Sequence, residues 1–209
     1  MGGMKPLACL TCGPSFEPID EVRRITNFST GEIGAHLQNA LERAGAETIC
    51  FRGEGATAER PRGDVREFTT NASLAAVIQG LERAPDMIFH AAALSDFVVR
   101  EIDGAFGAKL DSRSGDVRLT LSPASKLLPQ FRGWFPNAVI VGWKYELDGD
   151  CERALARGAA QIVAARADAC VVNGRAFGDG FGLLWPDSRV ETFPDKITLA
   201  TALADRFVR

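Results

Sequence analysis

The stretch LTCGPSFEPIDEVRRITNFSTGEIG, residues 10–34, decides the fold: an apolar run ends, a long polar loop follows, and helical periodicity then begins. Pro6 to Thr11 reads as a buried strand, and Gly34 to Ala44 as a helix with Leu37, Ala40 and Leu41 on one face. Outward from this unit, Glu47 to Phe51 is a second strand. Ser73 to Arg83 is a helix with Leu74, Val77, Ile78 and Leu81 at core spacing and Asn71 as its cap. Asp86 to Ala92 is a strand that runs out into Ala91, Ala92 and Ala93, side chains too small to fill space, so another part of the chain or a ligand approaches there.

Val99 to Asp116 breaks the rhythm with Gly104, Gly107, Gly115 and alternating charges, and is expected to be a mobile flap. Val117–Leu121 resumes as a strand, Ser125–Phe131 as a short helix, Ala138–Trp143 as a strand, Asp150–Ala165 as a helix and Ala169–Asn173 as a strand. Phe181–Trp185 and Arg189–Phe193 form a hairpin around Pro186-Asp187, and Lys196–Phe207 is a closing helix. Strands alternating with helices specify an α/β fold with a mostly parallel sheet and helices on both faces. With no repeat and no dividing linker, residues 1–209 are expected to be one Rossmann-like domain with a flap at about 99–116 and a C-terminal hairpin.

Composition narrows the function. A net charge of −3 supplies no basic field for nucleic acid, and no apolar run approaches the roughly 20 residues of a membrane helix. Five scattered cysteines and no signal-peptide pattern point to reduced thiols and the cytoplasm. Cys9 and Cys12 have redox spacing, but residues three apart on a strand face opposite ways, about 10 Å apart, so packing is the better account. Neither His36 nor His90 has the cysteines or carboxylates of a metal site around it, so no metal ligands are assigned.

In open parallel sheets ligands bind beyond the carboxyl ends of the strands, and here the ends of the first, third and fifth strands are unusual. The first strand passes through Gly13, Pro14 and Ser15 and reaches its helix only after residues 27–34, too long a crossing for a dinucleotide fingerprint. Ser29, Thr30, Gly31 and Gly34 place hydroxyls and small residues at a helix N-terminus, which either receives an anion or is simply a capped turn.

The 10–34 string as a whole resembles the signature of phosphopantothenoylcysteine synthetases. HAAALSDF (90–97), GAKLDS (107–112), LTLSPASKLL (119–128), VVN (171–173) and GFGLLWPD (180–187) resemble further family segments in the same order. The resemblance implies ligation of 4'-phosphopantothenate to cysteine through an acyl-nucleotide intermediate, using CTP, or ATP in some relatives, with Mg²⁺. It implies a homodimer, and leaves decarboxylation to a separate chain. By resemblance Asn27 contacts the acyl intermediate, Arg23 an anionic substrate group, and Lys109 on the flap the triphosphate. Each also has a plain alternative: Asn27 bonding its own loop, Arg23 and Lys109 as solvated charges. Asp96 either holds a ribose hydroxyl or metal-bound phosphate, or caps a helix. Pro123, Ala124, Ser125 and Lys126 stand where the family recognises base and sugar. Trp143, at a strand end, stacks on the base or fills the core.

The chain departs from the family pattern at Glu32, where the family has lysine, at the reduced flap lysines, and at Gln161 and Ala165 near two phosphate-binding lysines. Lys144, Lys126, Arg153, Arg157 and Arg166 are the candidates to replace those cations. A diverged relative that binds a nucleotide or phosphorylated ligand without ligation is the alternative. A short-chain oxidoreductase or flavoprotein is disfavoured, because the single tyrosine, Tyr145, begins no Tyr-x-x-x-Lys pair and no compact glycine fingerprint is present.

Overall fold

The sequence alternation resolves into an eight-stranded sheet around β1 (Leu7–Cys12), which is buried on both faces. On one side of it lie β4 (Glu47–Gly53) and the edge strand β5 (Asp64–Phe68). On the other lie β6 (Met87–His90), β9 (Val139–Tyr145) and β10 (Ala169–Asn173), all parallel, then β11 (Phe181–Leu184) and β12 (Val190–Phe193) as the expected antiparallel hairpin. The structure is a computed structural model and describes residues 4–102, 109–111, 113 and 115–208.

Both faces are covered, which is why β1, β6 and β10 read as continuous apolar runs. Helices α1 (Glu32–Arg43) and α5 (Lys196–Phe207) pack on Leu10, Cys12, Phe89 and Val171. Helices α2 (Asn71–Gln79), α3 (Leu128–Trp134) and α4 (Cys151–Ala165) cover the opposite face through Leu74, Phe131 and Ile162. Fully buried side chains such as Phe51, Phe89 and Phe131 each contribute about 1.5–3 kcal/mol by leaving water. Cys9 and Cys12 fall into opposite core clusters, and the cysteines are all free, as the strand geometry requires.

Some expectations need correction, and some elements were not foreseen. Residues 117–121 do not rejoin the main sheet: β8 (Leu119–Pro123) pairs antiparallel with β7 (Phe97–Ile102) in a separate ribbon. The flap region thus begins as a strand, while its residues 103–108, 112 and 114 lie outside the described residues. The long loop after β1 contains its own hairpin, β2 (Phe16–Pro18) and β3 (Arg24–Thr26), and β5 was not foreseen because its exposed edge buries only Phe68 fully. Asn71 is not the cap of α2. Thr70 is, in a reciprocal box with Ser73, and the helix ends at Gln79 before Gly80, leaving Leu81 and Arg83 beyond it.

Candidate active site

The chain leaves β1 towards β4 and returns on the other side at β6, which opens a crevice between the carboxyl ends of β1 and β6, with β9 beside it. Gly13 turns the chain there at φ 76°, and a Cβ on it would stand 2.7 Å from that of Ala56. The loop then runs against the three alanines: Ala93 N–H donates to Gly13 O (2.9 Å), and Ser15 N–H to Ala93 O (3.2 Å). The approach that those small side chains foretold is therefore made by the β1 loop itself.

Asn27 crosses the same junction. Its Nδ2 donates to the carbonyls of Ala93 (3.2 Å) and Leu94 (2.9 Å). Both amide protons are thereby engaged, which leaves Oδ1, an acceptor, to meet a ligand. Asp96, two residues beyond Leu94, does not cap a helix: its exposed carboxylate pairs with Lys126, and its carbonyl accepts from Ala124 N–H (2.8 Å). With Phe97 in register with Pro123, the residues Asp96, Pro123, Ala124 and Lys126 share one wall, while Ser125 Oγ accepts from Gln130 (3.2 Å). An exposed ion pair is worth at most about 1 kcal/mol, so a ligand can take either partner.

Sequence reasoning missed the residues behind this wall. Ser15 Oγ donates to Asn71 Oδ1 (2.7 Å) and accepts from Ser95 N–H (2.8 Å), and Asn71 Nδ2 donates to Ser95 O (2.8 Å). Thr11 Oγ1 accepts from Ala92 N–H (3.2 Å) and meets His90 Nδ1 at 2.7 Å. Burial pulls the His90 imidazole down to about 4, so it is a neutral floor beneath the site. In the sequence, Asn71 before a helical pattern looked like a cap, and nothing in Thr11 signalled its partner.

Across β1, Gly31 is the N-cap of α1 at φ 77° with no side-chain cap. Thr30 Oγ1 accepts from Glu32 N–H (3.3 Å), and half-buried Ser29 has no hydrogen-bond partner among the described residues. Glu32 is answered by Lys196 of α5 and by His36 (3.4 Å), and Lys196 above all holds its carboxyl below the usual range. Trp143 is half-buried, against the core cluster that includes α1 and α5.

The replacement cations separate by position. Lys144 and Arg157 both pair with the buried Glu146 carboxylate; burial pushes that carboxyl up, but the two cations outweigh it and the net shift is down. Gln161 donates to Trp143 O (3.1 Å). Ala165 is buried where α4 ends and Arg166 follows it, at the amino end of β10, so neither faces the crevice. Arg23 stands at the tip of the β2–β3 hairpin, at the opposite end of β3 from Asn27, and its guanidinium reaches the carbonyl of Leu110, the residue after Lys109. A groove of about 620 Å³ beside Lys5, Glu47, Asp64 and Arg83 lies at the amino ends of the strands, and Arg83–Glu47 and Arg66–Asp64 already pair there.

The coenzyme A biosynthesis bifunctional protein CoaBC of Thermococcus kodakarensis is 30% identical over 172 residues, covering 81% of this chain and 41% of that protein. Its counterpart from Bacillus subtilis is 29% identical over 177 residues, 83% of this chain and 41% of the relative. The chain thus spans about two fifths of the curated relatives it matches. The structure of the DNA/pantothenate metabolism flavoprotein from Streptococcus pneumoniae superposes with a TM-score of 0.84 at 22% identity, covering 98% of both chains. A Cab2 mutant in complex with phosphopantothenate-cysteine gives 0.74 at 17% identity, covering 97% of this chain and 87% of that one. At these identities the likeness establishes the fold. The DNA/pantothenate metabolism flavoprotein C-terminal domain matches residues 5–206, and the chain belongs to that family.

Proposed function

We propose that this chain joins 4'-phosphopantothenate to cysteine through an acyl-nucleotide intermediate, with CTP favoured over ATP. In the first step a substrate carboxylate oxygen attacks the α-phosphorus and pyrophosphate leaves. In the second, the cysteine amine attacks the acyl carbon, and the nucleoside monophosphate departs. The observation that carries this reading is the Asn27 bridge between the β1 and β6 loops, beside the Asp96–Lys126 pair. Such chemistry asks a protein mainly to align anions, neutralise them and exclude water.

Asn27 Oδ1 is suited to accept from the incoming amine, and Lys126 to reach a phosphate or sugar oxygen once a ligand competes for it. Gly13, Ser29, Thr30 and Gly31 line the approach to α1, and Trp143 offers a ring to the base. Among the described residues no cluster of three His, Cys, Asp or Glu forms a metal site. Mg²⁺, when bound, would accompany the nucleotide phosphates and neutralise their charge. No helix among the described residues is long and apolar enough to cross a membrane. The free, scattered cysteines favour the cytoplasm, and the family resemblance a homodimer.

The test is pyrophosphate release on mixing CTP or ATP with cysteine, phosphopantothenate and Mg²⁺, together with calorimetric titration of each nucleotide with and without the metal. Turnover is expected with CTP, and weaker binding in Lys144→Ala and Lys126→Ala. Binding by neither nucleotide, even with phosphopantothenate present, overturns the synthetase reading. Binding without turnover favours a relative that holds its ligand without ligating it, a reading for which the anionic Glu32 at the α1 turn speaks.

A further inference from the structure

Asp20 stands at the tip of the β2–β3 hairpin, where Ile19 N–H donates to Arg23 O (2.9 Å) and closes the turn. Its side chain is only 1% exposed, and its hydrogen-bond partners among the described residues are all donors. Oδ1 accepts from the backbone N–H groups of Val22 (2.9 Å) and Arg23 (2.7 Å). Oδ2 accepts from Leu110 N–H (3.0 Å) and from the Arg23 guanidinium. Arg23 in turn directs Nη1 and Nη2 at Leu110 O, each at 3.4 Å. Both backbone polar groups of Leu110 are thus met by a residue pair some ninety positions away in sequence.

Leu110 follows Lys109 directly. Two cations from distant segments, Arg23 and Lys109, would repel one another and wander if each stood on a free loop; a carboxylate between their backbones removes both problems. We infer that Asp20 is a positioning residue of this site, fixing the Arg23 guanidinium and the backbone that carries Lys109 so that an anionic substrate meets two cations at a set spacing. The ligand in this statement rests on the proposed function; the tie itself does not. Donation from Leu110 N–H first, and then the other donors, hold the Asp20 carboxyl at about 2, so the tie is charged throughout the neutral range.

Asp20→Asn separates the tie from the turn. An asparagine Oδ1 can still accept from Val22 and Arg23 N–H, whereas its amide NH₂ would face the Leu110 N–H and the guanidinium, donor against donor. In the chain of residues 1–209 the variant is expected to keep its far-UV spectrum and its exchange protection at Val22 and Arg23. The Leu110 amide should exchange about tenfold faster, and kcat/KM for ligation should fall by about tenfold to a hundredfold, as for misplaced reactants. In a Lys109→Ala background the same substitution should cost clearly less, because only the Arg23 guanidinium is left to be misplaced and residues that act as one unit are not additive. Unchanged exchange at Leu110, or an equal loss in both backgrounds, overturns the inference. Faster exchange at Leu110 in a protein whose wild type releases no pyrophosphate sinks the ligase function and leaves the tie standing.

Discussion

Asn27 shows how much a single side chain can be asked to do. Its two amide protons hold the Ala93 and Leu94 carbonyls, so Asn27→Asp removes two donors and sets a carboxylate against two carbonyl oxygens, beside the anionic intermediate that we propose. Because the residue is exposed, the stability loss should be modest, about 1–2 kcal/mol, or roughly 2–8 °C in Tm for a chain of this size. Product formation should fall by about a hundredfold or more, the usual worth of a catalytic polar group. Differential scanning calorimetry with a product assay checks both, and wild-type turnover removes Asn27 from the mechanism. Gly34 is a packing residue: a Cβ there would sit 2.4 Å from Cys12 Sγ and 2.8 Å from Cys12 Cβ. Gly34→Ala should cost about 1–3 kcal/mol by overpacking, and Cys12→Ala should restore only part of it, since the Cβ contact persists. Full rescue in a urea titration would contradict that geometry.

The start of α2 distinguishes support from site at the level of an element. Thr70 and Ser73 satisfy each other's backbone donors, so Thr70→Ala should lower stability by about 0.5–2 kcal/mol with little change in ligation. Asn71, one residue on, spends its amide on Ser15 and Ser95 and so locks the β1 and β6 loops together. Asn71→Ala should retain helical circular dichroism yet depress kcat; equal effects of the two variants on turnover would refute the division. Long amphipathic elements such as α4 and α5 were legible in the sequence because their core spacing is repeated over several turns. Strand β7, the hairpin β2–β3 and the edge β5 were not, because short exposed strands bury too little to leave a pattern, and of β8 the strand at 117–121 was legible but not its pairing with β7.

For the whole molecule, pH dependence follows from groups that folding shifts downwards. His90 falls from 6.5 to about 4, so between these values the unfolded chain takes up a proton that the native state refuses. Stability should be level above pH 6.5 and decline as pH drops towards 4, by an amount on the order of 3 kcal/mol. Glu32, Glu191, Asp195 and Asp20 are also held below their ordinary values, and their contribution, complete above the carboxylate range, should be lost in a second decline as pH falls through their folded values. Thermal melts across this range should show both phases. His90→Asn, which keeps an acceptor for Thr11, should flatten the first at a lower plateau, because packing on Phe131 is lost; an unchanged slope would assign it elsewhere.

The sequence by itself determined the layered α/β order, the buried central strands and the crossing at residues 10–34, because periodicity and local turn chemistry are properties of neighbours in the chain; the family it offered as a resemblance, which the match over residues 5–206 bears out. Only the tertiary structure decided which charges face which. It paired Glu32 with Lys196 across 164 positions, turned Ala165 and Arg166 away from the crevice, and set Asp20 against Leu110. Electrostatic partners act through space at a few ångströms, and the spacing of residues along a chain does not encode that distance.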